Sequence, residues 1–113
     1  MLLIWNGYHR ELGSTIAKIA GISPDLVKGY QTLSGAGAKT ENLGEKTRQL
    51  IALAVAMTIR CDGCIAVHKD AAIKAGATKE EIVEALGVAV ALDAGTALVY
   101  SARVGDARSA KAK

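Results

Sequence analysis

Cys61-Asp62-Gly63-Cys64 is followed by His68, a C-x-x-C-x-x-x-H spacing. On a helix these three residues lie within about 60° of one another, so both sulfurs and the imidazole share one face. Helical side chains lean toward the N-terminus, which aims the His68 ring at the Cys64 sulfur. Thiols at a helix start also feel the positive end of its dipole, which favours thiolate. A purely structural disulfide would close too short a loop to restrict the unfolded chain strongly. Zinc needs four ligands, and the chain offers two Cys and two His, with His9 far away in sequence. Covalent haem requires C-x-x-C-H, and position 65 is Ile. Two inert core cysteines remain an alternative. A redox-active pair is the reading that uses all three residues, with no metal and no cofactor expected.

The elements that must position these residues read as helices. Ser23-Pro24-Asp25 is a helix start, with Ser at N-cap, Pro at N1 and an acid in the first turn. That helix should run to about Ser34 and bury Leu26, Val27, Tyr30 and Leu33. Residues 1–13 read as a short helix or arm, with Ser14–Ala20 adding a turn. Gly35–Gly44 reads as a loop by composition. Glu45–Ile59 is charged only in its first turns and then apolar on every side, which predicts burial on every side. Asp62–Ala75 is closed by Gly76. Thr78-Lys-Glu-Glu81 is a capping box opening a helix that carries Ile82, Val83, Leu86 and Val90 at helical spacing. Asp93 is read as the cap of a last helix reaching about Arg103, and Gly105–Lys113 as a frayed, solvated tail. No segment alternates with period 2. The expected fold is therefore all-α, a bundle of about five to six helices in a single domain over 1–113. Within it lie a core at about 24–103, an N-terminal arm at 1–22 and a C-terminal tail at 105–113.

Composition narrows the function. The chain has 113 residues, 50% of them hydrophobic and 22% charged, which excludes disorder. The net charge of +3 is mild, and aromatics are only 4%. A base-stacking nucleic-acid platform is therefore not expected. Alanine is the commonest residue and Pro24 the sole proline. Small side chains favour helices but leave a thin core for a lone chain, which points to a homo-oligomer. Gln49–Ile59 is uncharged but short of the roughly 20 residues a membrane span needs, and Asp93 with two glycines divides Ala85–Ala102. The first residues lack a basic n-region and do not read as a signal peptide. The expected location is the cytoplasm, with no membrane association.

The stretch from Glu45-Lys-Thr-Arg-Gln-Leu-Ile-Ala to Cys61-Asp-Gly-Cys-Ile-Ala-Val-His68 closely resembles the core of the AhpD-like, or carboxymuconolactone decarboxylase-like, family. The resemblance continues through Gly76-Ala-Thr-Lys-Glu-Glu-Ile-Val-Glu-Ala85 and the small residues of Asp93-Ala-Gly95. The cysteine-histidine motif is that of the peroxidase-like branch. The resemblance implies trimers, or hexamers built from them. It also implies reduction of small hydroperoxides, with electrons from a separate dithiol or protein-thiol donor. Cys64 matches the peroxide-attacking cysteine, Cys61 the one that closes the disulfide, and His68 the histidine of the proton relay. Two departures stand out. The relay glutamate is replaced by Gln49, which cannot accept a proton. A histidine that some members carry between the cysteines is replaced by Gly63.

Glu45 lies one turn before Gln49 on the same face and could supply the missing carboxylate; its plainer role is to complement the helix dipole. Gln49 could instead hold a thiol or His68 by hydrogen bonding. His9 is expected at the surface or an interface, Trp5 and Tyr8 as packing anchors, and Asp93 as a cap rather than an acid catalyst. Two other functions stand beside the peroxidase reading. Lactone decarboxylation would not need the cysteine pair. A non-enzymatic redox-sensing oligomer would fit a relay impaired at Gln49.

Overall fold

The computed structural model describes residues 1–112. It consists of seven helices: α1 Trp5–Ile22, α2 Pro24–Ser34, α3 Ala36–Thr40, α4 Glu45–Thr58, α5 Asp62–Lys74, α6 Lys79–Tyr100 and α7 Ala102–Ala112. There is no strand among the described residues. The centre is a three-helix layer in which α4 packs on both α5 and α6, while α1 lies across α5 and α2 returns against α1. The buried residues Leu53, Ala56, Ala66, Ala72 and Ala89 all belong to α4, α5 and α6. Four of the five are alanine, so the central helices approach closely.

Local signals account for several boundaries. Thr78 Oγ1 accepts from the Glu81 N–H at 3.1 Å, and the Glu81 carboxylate accepts from the Thr78 N–H at 2.9 Å. This reciprocal box starts α6 where the sequence places it. Gly76 ends the α5 region at φ 92°, a left-handed conformation open to glycine. Pro24 occupies N1 of α2, but the Ser23 side chain makes no capping bond.

Four expectations are corrected. Residues 5–22 form one continuous helix, because docking on α5 and α2 outweighs the helix-weakening effect of Gly7, Gly13 and Gly21. The glycine-rich stretch after Ser34 contains α3, ended by Glu41 at φ 54°. Asp93 caps nothing: α6 runs straight through it, since the alanine-rich flanks favour helix on both sides. The tail is helical through Ala112, set off from α6 by the turn at Ser101, with the Arg103 guanidinium 4.8 Å from the centre of the Tyr100 ring. Lys113 lies outside the described residues.

Burial differs most from expectation. In α2, Leu26, Tyr30 and Leu33 are exposed, and in α4 Ile51 and Val55 are about half exposed. The second half of α6 leaves Leu92, Leu98, Val99 and Tyr100 uncovered. The chain exposes 8827 Å², whereas a compact monomer of this mass exposes about 5,900 Å². Its radius of gyration is 18.7 Å, against about 13 Å for a compact domain of this length. By length and composition alone, the run Lys79–Lys111 is apolar enough to cross a membrane. A helix made to be covered by protein carries the same composition.

Candidate redox site

The site is built at the α4–α5 turn. Arg60 takes a left-handed conformation, φ 56°, which reverses the chain after α4. The Cys61 N–H then donates to the Ala56 carbonyl at 3.0 Å. This places Cys61 at the N-cap of α5 rather than inside it, with extended backbone. Its sulfur accepts from the Cys64 N–H at 3.2 Å, satisfying one of the orphan donors at the helix start. Cys61 and Cys64 are joined in a disulfide, with their Cα atoms 5.2 Å apart. The pair thus sits at the positive end of α5.

His68 follows one turn after Cys64 on α5. Its hydrogen bond runs to α4, with Nδ1 2.7 Å from Gln49 Oε1, rather than to the Cys64 sulfur toward which the helical lean pointed. Gln49 reaches the other way as well: its Nε2 donates to Glu45 Oε1 at 2.8 Å. Glu45 therefore does not touch His68; Gln49 stands between them. The second Glu45 oxygen accepts from Arg48 Nη2 at 2.6 Å, and Arg48 Nη1 reaches Glu41 Oε1 at 3.3 Å. Hydrogen bonds from Arg48 first, then Gln49, hold the Glu45 carboxyl below the usual carboxylate range. The same contact with Glu45 raises the Arg48 guanidinium. Three of the five sequence candidates, His68, Gln49 and Glu45, thus form one hydrogen-bonded chain between α5 and α4, while Cys61 and Cys64 pair with each other at the start of α5.

Sequence reasoning missed the part played by Arg48 and Glu41. The spacing of Glu45 to Arg48 was visible as an i, i+3 ion pair, but nothing local predicts that α3 brings Glu41 to the same guanidinium. It also missed what lies over Gly63. A Cβ at Gly63 would meet Leu12 Cδ2 at 2.8 Å and the Tyr8 hydroxyl at 3.8 Å. Position 63 is therefore glycine where α1 crosses the first turn of α5. Farther along the same crossing, His9 Nδ1 pairs with Asp70 Oδ2 at 2.9 Å. The Asp70 carboxyl lies below its ordinary range, chiefly through its bond from Lys69 and then that from His9. A shallow apolar groove of about 390 Å³ lies between Met1, Ile4, Trp5 and Asn6 of the N-terminal segment and Ile65 and Lys69 of α5. Neither cysteine lines it. Among the described residues no group of three His, Cys, Asp or Glu side chains is arranged to hold a metal ion.

The fold and the site together define an all-helical protein with a cysteine pair at the N-terminus of a central helix. Residues 24–107 match the carboxymuconolactone decarboxylase family, and the chain belongs to it. It is 40% identical over 109 residues to an uncharacterized protein of Haemophilus influenzae, with 96% of each chain covered. It is 44% identical over 59 residues to a Paracoccus denitrificans protein described as uncharacterized protein 4 in cox locus, covering 52% of this chain and 53% of that one. The crystal structure of a carboxymuconolactone decarboxylase family protein from Legionella pneumophila superposes with a TM-score of 0.74 at 36% identity. That match covers 87% of this chain and 88% of the other.

Proposed function

We propose that the protein is a cytoplasmic thiol-dependent oxidoreductase that reduces small organic hydroperoxides, as in the peroxidase-like branch of its family. The observation that carries this reading is the Cys61–Cys64 disulfide at the start of α5, with His68 one turn farther along the same helix. Cys64 thiolate attacks the outer peroxide oxygen. The O–O bond breaks, the alcohol leaves with a proton, and Cys64 becomes a sulfenic acid. The Cys61 thiol displaces water from that sulfur and the disulfide forms. A separate dithiol or protein thiol then reduces the disulfide and is itself oxidised. His68 accepts the proton that makes the attacking thiolate. The exposed apolar faces of α2, α4 and α6 support a homo-oligomer, trimeric or hexameric, as the working form.

One observation favours a second reading. The group hydrogen-bonded to His68 is an amide, not a carboxylate, so the relay lacks a direct proton acceptor behind the ring. That suits a redox-sensing oligomer with little turnover. Lactone decarboxylation leaves the cysteine pair without a role. The deciding assay is consumption of an organic hydroperoxide with a dithiol reductant, wild type against Cys64→Ser. The peroxidase reading requires turnover in the first and none in the second. A wild type that forms the disulfide yet does not turn over supports the sensor.

A further inference from the structure

We infer that Glu45 is a positioning residue that selects the tautomer of His68 through the Gln49 amide, leaving Nε2 as the proton-accepting nitrogen of the ring. The inference rests on the reading of His68 as the base for the reactive thiol, and it adds what sets that base. A carboxylate has only acceptors to offer. Glu45 is held as a carboxylate, since its hydrogen-bond partners keep its carboxyl below the usual range. Its Oε1 must therefore receive the NH₂ end of Gln49, at 2.8 Å. That choice turns the Gln49 carbonyl toward the ring, 2.7 Å from His68 Nδ1. A carbonyl oxygen also only accepts, so Nδ1 must carry the hydrogen. A neutral imidazole has one N–H, and Nε2 is left with its lone pair free. After Nε2 takes a proton, the Nδ1–H bond to Gln49 persists, so the same contact suits both states of the ring.

The orientation is held from farther out. Arg48 fixes the second Glu45 oxygen at 2.6 Å and is itself held by Glu41 of the α3–α4 connection. The Arg48 side chain is mostly covered, and a Cβ at Gly37 would come within 3.0 Å of its Cδ. Without the carboxylate at 45, nothing in this network dictates which end of the Gln49 amide faces the ring. With the amide reversed, its NH₂ would donate to Nδ1 and the ring hydrogen would move to Nε2, removing the base.

The test is ¹⁵N-histidine NMR of the reduced full-length protein above the ordinary imidazole range of about 6.5. A His9→Gln variant assigns the other ring. Wild-type His68 should show one tautomer, with hydrogen on Nδ1 and a bare Nε2. Glu45→Gln should add a second population with hydrogen on Nε2. Glu45→Gln combined with Gln49→Glu has the same composition as the wild type and puts a carboxylate against Nδ1; it should restore the single Nδ1–H form. A wild-type ring protonated at Nε2 overturns the inference. So does a Glu45→Gln ring that keeps one pure tautomer. Because the spectra need no peroxide, a protein that fails to consume hydroperoxide but gives these tautomers refutes the proposed function and leaves this assignment standing.

Discussion

Gln49→Glu asks whether a carboxylate at position 49 can act through His68, and the geometry makes the answer depend on Glu45. The side chain of residue 49 ends 2.7 Å from His68 Nδ1 and 2.8 Å from Glu45 Oε1. A carboxylate there accepts from Nδ1–H with one oxygen and turns the other against the Glu45 carboxylate. Two carboxylates so close do not both stay ionised, and one takes up a proton. The single substitution therefore adds less than a full negative charge beside the ring. Adding Glu45→Gln removes the conflict, and the bond to Nδ1–H becomes charge-assisted, roughly twice as strong as a neutral one. An opposite charge in contact shifts a pKa by about 1–3 units, and the solvent reaching this half-exposed network sets the lower end. A cysteine with an ordinary pKa of about 8.5 is about 3% thiolate at pH 7, so one unit of added imidazolium stability is worth about tenfold in thiolate. The expected order of hydroperoxide consumption is wild type, then Gln49→Glu at about threefold or less, then the double variant at about tenfold, below the roughly 10²–10⁴-fold of a full general base because His68 already serves as the base in the wild type. The assay is the initial rate with an organic hydroperoxide and excess dithiol, with iodoacetamide alkylation of Cys64 against pH as the parallel measure. In a His68→Ala background neither substitution should help. A Gln49→Glu rate equal to or above the double variant refutes the argument, as does any gain that survives loss of His68.

Three further outcomes follow from the packing and the charges. Gly63→Ala drives a methyl to within 2.8 Å of Leu12 Cδ2; it should lower stability by about 1 kcal/mol in the wild type, but raise it in a Leu12→Ala background, where the gain in helix propensity of up to about 1 kcal/mol is no longer opposed. Thermal melting of the four proteins reads this, and the same sign in both backgrounds counts against α1 docking over Gly63. With 8827 Å² exposed by one chain, light scattering should return a multiple of 11.7 kDa; a stable monomer contradicts the homo-oligomer. The carboxyls of Glu45, Asp70 and Glu81 all lie below their ordinary range, chiefly through bonds from Arg48, Lys69 and Lys46. The unfolded chain therefore binds more protons as pH falls through about 4, so their stabilisation is present above that range and is lost on acidification. The urea midpoint should fall between pH 6 and pH 3, and Glu81→Gln should make the fall shallower; equal slopes refute a role for that pair.

The helical class, the Thr78 box, the stop at Gly76 and the placing of Cys64 and His68 on one helix are all legible in the sequence. Each depends on interactions within a few residues, so spacing and residue type are enough to specify it. The same reasoning fails where distant contacts outvote local preference. The mixed residues 1–13 read as a short helix or arm with Ser14–Ala20 adding a turn, yet α5 and α2 give that segment a surface on which one continuous helix docks. Asp93 is a good cap residue in isolation, but a cap forms only where the helix stops, and nothing stops α6 there. Apolar positions in α2, α4 and α6 mark surfaces to be covered, yet within this chain Leu26, Ile51 and Leu98 stay exposed. At the site, the sequence placed Glu45 one turn before Gln49 and left open which of them serves His68. Only the pairing of α4 against α5 decided that Gln49 bridges the two. An amide offers a donor at one end and an acceptor at the other, and tertiary structure alone sets a carboxylate before the first and an imidazole before the second.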